Sequence, residues 1–222
     1  MNGKLDRIVP VNYRLPEIHM ADTSPVVQQI ADHVAGLIPD GATLQTGIGA
    51  IPDAVLSRLG NHKDLGIHTE LFSDGIIDLI ARGVITGERK TLHPGKVIAG
   101  FVLGTQLLYD FIHENASVEL LPVDWVNDPR NIGREQHFVS VNATLEVDLL
   151  GQAASETLNG RYYSGSGGQA DFVRAANRSK GGKAFIVLPS TAKNDTISRI
   201  VPTLNPGTHV TTSKNDVNYV VT

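Results

Sequence analysis

From residue 42 onward, short apolar runs alternate with helix-like stretches, and this alternation restricts the fold more than any other feature of the chain. Strands are predicted at residues 42–46, 66–69, 96–101, 118–121, 138–143 and 184–188. Helices are predicted between them at 52–59, 74–82, 105–115 and 170–178. Such a rhythm argues for the α/β class, with an open, largely parallel sheet flanked by helices. A further helix is expected ahead of it, with Ser24 as N-cap and Pro25 at the first helical position. Val26, Val27, Ile30, Ala31, Val34 and Leu37 follow at helical spacing, and Pro39-Asp40-Gly41 reads as a turn. Residues 1–23 show no period and carry Pro10 and Pro16, so they read as a linker or arm. Asn159-Gly160 has the composition of a hairpin turn. Residues 217–222 form a strand-like run with no polar tail after it, as either a native C-terminus or a cut chain would show.

Composition removes several classes of function. The 222 residues are 41% hydrophobic, enough for one sizeable core, and the net charge of −4 comes with no basic run that would suit a nucleic acid. There is no cysteine, so disulfides, thiolate zinc sites and a cysteine nucleophile are excluded together. The N-terminus lacks an apolar signal region and no later stretch is long enough to span a bilayer. A soluble, cytoplasmic protein is expected. The other histidines (His19, His33, His62, His93, His113, His137) show no paired ligand spacing, so no metal site is expected.

Three loops after predicted strands are placed where open α/β sheets bind ligands. The first, Gln45-Thr46-Gly47-Ile48-Gly49, offers two glycines for close backbone approach and a following helix N-terminus for an anion. For a lone Gly-x-Gly a plain strand-to-helix turn is the commoner reading, and Pro52 replaces the last glycine of a dinucleotide fingerprint. In the second, His68-Thr69-Glu70-Leu71-Phe72, a glutamate stands between a strand end and an apolar pair. Its His-x-Glu spacing matches zinc deaminases, but these need cysteines that the chain lacks. The pattern alone favours Glu70 as a cap of the next helix, paired with its dipole. The third loop, Ser164-Gly165-Ser166-Gly167-Gly168-Gln169-Ala170-Asp171, precedes a helix and suits an oxyanion or phosphate nest, or else a flexible turn. Gly168 is expected to need positive φ or a close ligand approach. A serine-hydrolase alternative reads Ser164-x-Ser166-x-Gly168 as a nucleophile elbow, with Asp195 and His209 following in order, although the elbow's first glycine is missing. Trp125, near Asn127 and Pro129, reads as packing.

Together these loops resemble the acetyl-CoA hydrolase/transferase family of class I CoA-transferases. The resemblance runs from the arm to Thr222 and is carried by residues 44–55, 62–75 and 163–172, with Ser190-Thr191-Ala192-Lys193 and residues 215–222 adding to it. It implies a CoA-transferase (NagB/RpiA-like) domain, with residues 1–23 as interdomain linker and 24–222 as a C-terminal catalytic domain truncated at its C-terminal end. It further implies that Glu70 is the catalytic glutamate and that Gln45, Thr46, Gly47, Ile48 and Gly49 line the CoA thioester. Gly167 and Gly168 match oxyanion and CoA-contacting glycines, with Gly165 and Asp171 in the same CoA-binding motif. Asn127 matches an active-site asparagine that positions the acyl group.

The implied substrates are acyl-CoA and short-chain carboxylates, with no cofactor beyond coenzyme A itself. The implied partners are a homologous N-terminal domain of the same chain and further copies of it in a homo-oligomer. Members of the family carry that first domain and continue past Thr222, so poor activity is expected of the chain as it stands. An acyl-CoA hydrolase using the same glutamate and a non-catalytic CoA- or nucleotide-binding module remain open.

Overall fold

The structure, a computed structural model, describes residues 7–19, 23–158 and 160–222. Helix α1 (Pro25–Ala35) begins where Ser24 Oγ accepts the Val27 N–H at 3.3 Å. It buries Val27, Ile30, Ala31 and Val34, while Val26 and Leu37, which share the same helical spacing, face outward. The chain then runs through β1 (Thr43–Thr46), α2 (Ala50–Arg58), β2 (Gly66–Phe72), α3 (Gly75–Ala81), β3 (Val97–Val102), α4 (Gln106–Ile112) and β4 (Val118–Leu120). Two one-turn helices follow, α5 (Val123–Val126) and α6 (Pro129–Ile132), before β5 (Phe138–Ala143). Short strands β6 (Glu146–Asp148), β7 (Ala153–Ala154), β8 (Thr157–Leu158) and β9 (Arg161–Tyr162) lead to α7 (Gln169–Arg178) and β10 (Lys183–Val187). The remainder holds β11 (Thr191–Ala192), β12 (Ile197–Ser198), β13 (Ile200–Val201) and β14 (Tyr219–Val221).

Seven of these strands form one sheet in the order β14-β10-β5-β1-β2-β3-β4, and every pair in it is parallel. The predicted α/β class with a parallel sheet is therefore the observed fold. The connections run outward from β1 to β4, then return to β5 on the other side of β1. That reversal is a topological switch point, where open α/β sheets leave a crevice at their strand carboxyl ends. Buried on both faces, β1 and β5 are closed to solvent along nearly their whole length, as central parallel strands must be.

The two faces have separate cores. One gathers Leu44, Ile67, Ala99, Val139, Val141, Phe185 and Val187 against α1 to α4. The other gathers Ile98, Phe138, Ala184 and Ile186 with Val126, Ile132, Phe172 and Val173 from α5, α6 and α7. Alternation along β2 turns Ile67 to the first face and His68 and Glu70 to the second.

Residues 7–19 carry no regular structure, yet residues 16–18 are tied to the start of α4. Ile18 N–H donates to the Gly104 carbonyl at 3.0 Å, Gln106 N–H to the Glu17 carboxylate at 2.9 Å, and Tyr109 Oη to the Pro16 carbonyl at 2.6 Å. Strands β8 and β9 pair as an antiparallel hairpin around the Asn159-Gly160 turn, of which Asn159 lies outside the described residues. Among the described residues, no helix is long and apolar enough to cross a membrane.

Candidate active site

Glu70 is not on a loop after its strand. It is an interior residue of β2, which continues through Leu71 and Phe72 because these pair with Phe101 and Val102 of β3. Nor does it cap the helix that follows, since Asp74 holds the N-cap position of α3. Its carboxylate crosses to the second face of the sheet, where Glu70 Oε2 accepts the Gly168 N–H at 2.9 Å. Gly168 is the N-cap of α7, so the charge lies at the positive end of a helix, though not the adjacent one.

Gly168 has φ −88°, a conformation open to any residue, so the expected positive φ belongs instead to Gly167, at φ 54°. What requires glycine at 168 is space. A Cβ there would overlap Glu70 Oε2 and Asn127 Nδ2 and crowd the Phe172 ring. Three of the candidate residues, Glu70, Asn127 and Gly168, therefore converge on one point. Asn127 follows α5 directly, and its Oδ1 is buried with no hydrogen-bond partner among the described residues. Asn127 and Asp171 also share the wall of an open cavity of about 380 Å³, with Val123, Asp128 and Arg130. Burial raises the Asp171 carboxyl above its usual range; Arg174 opposes the shift and Asp128 adds to it. Gly165 and Gly167 are exposed, and a Cβ on either would meet open space.

The first glycine loop is at the switch point. Gln45 of β1 and Asn142 of β5 exchange amide hydrogen bonds at 3.0 and 2.9 Å, and Gly47 N–H donates to the Val141 carbonyl at 2.8 Å. Gln45 and Thr46 are buried, whereas Ile48 is 63% exposed and Gly49, at φ 123°, turns the chain into α2. The Gln45 side chain is thus committed to Asn142, and the open part of this loop is Ile48 and Gly49. Thr69, beside Glu70, donates its hydroxyl to the Thr46 carbonyl at 3.3 Å and links β2 to the end of β1.

Asp53, in the first turn of α2, has its carboxyl pushed up to about 6, chiefly by burial and then by Asp74. The native state therefore holds this proton through a range in which the unfolded chain has released it. Stability from the protonated form is present at low pH and lost as pH rises through about 6. The difference in urea midpoint between Asp53→Asn and the parent is expected to move in favour of the variant from pH 4.5 to 7.5. A pH-independent difference would remove Asp53 as the source.

The sequence does not single out Asn142, and it marks His68 only by the His-x-Glu spacing. Ser140 and Asn142 interrupt the apolar run of β5, and a buried amide such as that of Asn142 needs a partner. His68, on the same strand face as Glu70, is wholly buried, stacks on Trp125 with centroids 5.6 Å apart, and meets Phe138 edge-on. Its Nε2 is 2.8 Å from the Val126 carbonyl. Burial depresses its pKa to about 4; the hydrogen bond to the Val126 carbonyl opposes the shift, and Lys90 and His93 add to it.

The serine-hydrolase arrangement does not form. Ser164 Oγ donates to the Gly165 carbonyl, Asp195 accepts from Thr191 Oγ1, and the His209 ring meets Tyr162 edge-on. Among the described residues, no group of three or more His, Asp or Glu gathers to hold a metal ion.

Residues 104–222 match the family model of the acetyl-CoA hydrolase/transferase C-terminal domain. The chain belongs to the acetyl-CoA hydrolase/transferase family. Among the relatives of this family member is a succinyl-CoA:cyclohexane-1-carboxylate CoA transferase of Geobacter metallireducens, 53% identical over 99% of this chain and 50% of the relative. Another is a 4-hydroxybutyrate coenzyme A transferase of Clostridium kluyveri, 51% identical over 98% of this chain and 51% of the relative. The crystal structure of a 4-hydroxybutyrate CoA-transferase from Porphyromonas gingivalis superposes with a TM-score of 0.84 at 46% identity, covering 99% of this chain and 51% of that one. The chain thus spans about half the length of the curated relatives it matches. The match includes α7 and the Gly165–Gly168 loop within the family domain, while β1, β2 and Glu70 precede it.

Proposed function

We propose that the full-length protein transfers CoA between a short-chain acyl-CoA and a carboxylate, with Glu70 as the covalent carrier. The observation that carries this reading is the Glu70 carboxylate held by the Gly168 N–H at a helix N-terminus, beside the Asn127 amide. The free oxygen of Glu70 attacks the thioester carbonyl, the C–S bond breaks, and CoA leaves as thiolate, giving a mixed acyl-glutamyl anhydride. The thiolate then attacks the glutamyl carbonyl, and the acyl group departs as a carboxylate, leaving CoA as a thioester on Glu70. A second carboxylate repeats the steps in reverse and leaves as the new acyl-CoA, with Glu70 restored. One hard transfer becomes several easier ones, and ping-pong kinetics follow.

The resting geometry supports a particular role for Gly168. Its N–H already lies 2.9 Å from Glu70 Oε2. When thiolate or carboxylate adds to the glutamyl carbon, negative charge develops on that same oxygen. The amide therefore suits the glutamyl-centred intermediates, where such a donor is typically worth about 2.7–4 kcal/mol. The Ile48-Gly49 turn and the Gly165–Gly167 loop are read as CoA-contacting backbone, and the cavity between Asn127 and Asp171 as space beside the reacting groups. A domain matching the half of its relatives' length that this chain does not span would supply the opposite wall of the cleft.

The test is mass spectrometry of the full-length protein after incubation with an acyl-CoA. A CoA adduct on the Glu70 peptide that persists until a carboxylate is added is the expected result. Steady acyl-CoA consumption without acceptor would identify a hydrolase, and neither adduct nor turnover would leave a binding module.

A further inference from the structure

Helix α5 is a single turn, too short to hold itself together, and it ends directly at Asn127. The last carbonyls of any helix lack an intrahelical donor and need one from elsewhere. Here the Asn127 N–H closes the one backbone turn of α5 by donating to the Val123 carbonyl at 2.8 Å, and Asn131 Nδ2 donates to that of Trp125 at 3.3 Å. The carbonyl of Val126, the residue before Asn127, is met by a side chain from the sheet, His68 Nε2 at 2.8 Å. A carbonyl only accepts, so the Nε2 nitrogen carries the hydrogen and the ring is the Nε2–H tautomer. The other nitrogen, Nδ1, is buried without a partner among the described residues, as suits an unprotonated nitrogen in an apolar wall. Trp125 stacked on one side and the Phe138 edge on another leave the ring little freedom to turn.

These contacts close a ring of positions. His68 and Glu70 stand two residues apart on one face of β2; His68 holds the end of α5; α5 delivers Asn127; and Asn127 meets Glu70 at Gly168. We infer that His68 is a positioning residue for the transfer, fixing Asn127 relative to Glu70 through the hydrogen bond from Nε2 to the Val126 carbonyl. The inference rests on the reading of Glu70 as the nucleophile. His68 touches neither substrate nor reacting atoms. Its hydrogen bond registers a one-turn helix against the strand that carries Glu70, and a misplacement of about 1 Å at a reacting centre can cost on the order of 10²-fold in rate.

The experiment uses the full-length protein with His68→Leu, His68→Gln, His68→Asn, Asn127→Ala and the double variant His68→Leu/Asn127→Ala. Steady-state transfer and the rate of CoA adduct formation on Glu70 are measured for each. A glutamine amide nitrogen reaches about where Nε2 lies, whereas asparagine falls short. The expected result is a loss in kcat of about 10- to 100-fold in His68→Leu, with KM for acyl-CoA changed less than about threefold. Most of that loss is recovered in His68→Gln and little of it in His68→Asn. Within the Asn127→Ala background, His68→Leu costs less than about threefold more, because its effect passes through Asn127. An equal loss in both backgrounds overturns the inference, as do equal rates in the glutamine and asparagine variants. The latter comparison stands even if the leucine variant does not fold. Adduct formation at the parent rate in His68→Leu overturns the inference alone. An absent adduct in the parent overturns the nucleophile reading and takes the inference with it.

Discussion

Replacing Glu70 by alanine in the full-length protein is expected to lower acyl transfer by on the order of 10⁶-fold, the loss reached when a covalent nucleophile is removed. CoA affinity should stay within a few-fold, because none of the open backbone at Ile48-Gly49 or Gly165–Gly167 is touched. Stability should change by less than about 1 kcal/mol: the carboxylate is only half-buried, and the Gly168 N–H that loses its acceptor is one a helix N-terminus can give to water. Glu70→Asp separates charge from reach. It keeps a carboxylate on the same strand face but withdraws it by one methylene from the Gly168 amide, so about 10²-fold is expected from geometry alone. Exchange kinetics and calorimetric titration with CoA measure both quantities. Transfer within tenfold of the parent in Glu70→Ala would reduce Glu70 to an acceptor that closes the start of α7.

That ambiguity shows what the sequence could and could not display. The main strands were legible to within a few residues, because each is a short apolar run bounded by glycine or polar turns. Ser24-Pro25 marked the start of α1 through local capping chemistry. The extent of β2 was not legible: Leu71 and Phe72 remain in the strand only because β3 lies beside them, and that pairing partner is 30 residues away in sequence. A longer separation, 98 residues, hides the helix that meets Glu70. Capping chemistry suggested α3, the next helix along, whereas sheet alternation sends the carboxylate to the opposite face and to α7. Helices α5 and α6 have four residues each, little more than one turn, which is too few for a helical period to show. The strands β6 to β9 and β11 to β13 are set by backbone pairing over two or three residues, which leaves no pattern in side chains. The roles of Gln45 and His68 share this origin, since each depends on a partner far along the chain, Asn142 and Val126.

Glycine 168 offers the second large effect, and its backbone makes the experiment clean. At φ −88° an alanine or valine fits the local conformation, so any loss arises from the added atoms and not from strain in the main chain. The first of those atoms, Cβ, would stand where Glu70 Oε2 and Asn127 Nδ2 now approach. To make room, the carboxylate must leave the Gly168 N–H or the asparagine must shift, and either change dismantles the arrangement that receives the glutamyl oxyanion. Gly168→Ala is therefore expected to lower kcat about 10²- to 10³-fold, the loss seen when one oxyanion donor is removed. Gly168→Val should do at least as much damage. Substitution at Gly167 provides the contrast: φ there is 54°, which penalises any side chain, but a Cβ would meet open space. Gly167→Ala should thus cost about 1 kcal/mol of stability while leaving turnover much closer to the parent. Denaturant melts and kcat, measured on both full-length variants, distinguish the two glycines. If Gly168→Ala turns over at the parent rate, the carboxylate does not need that amide, and the oxyanion is stabilised elsewhere.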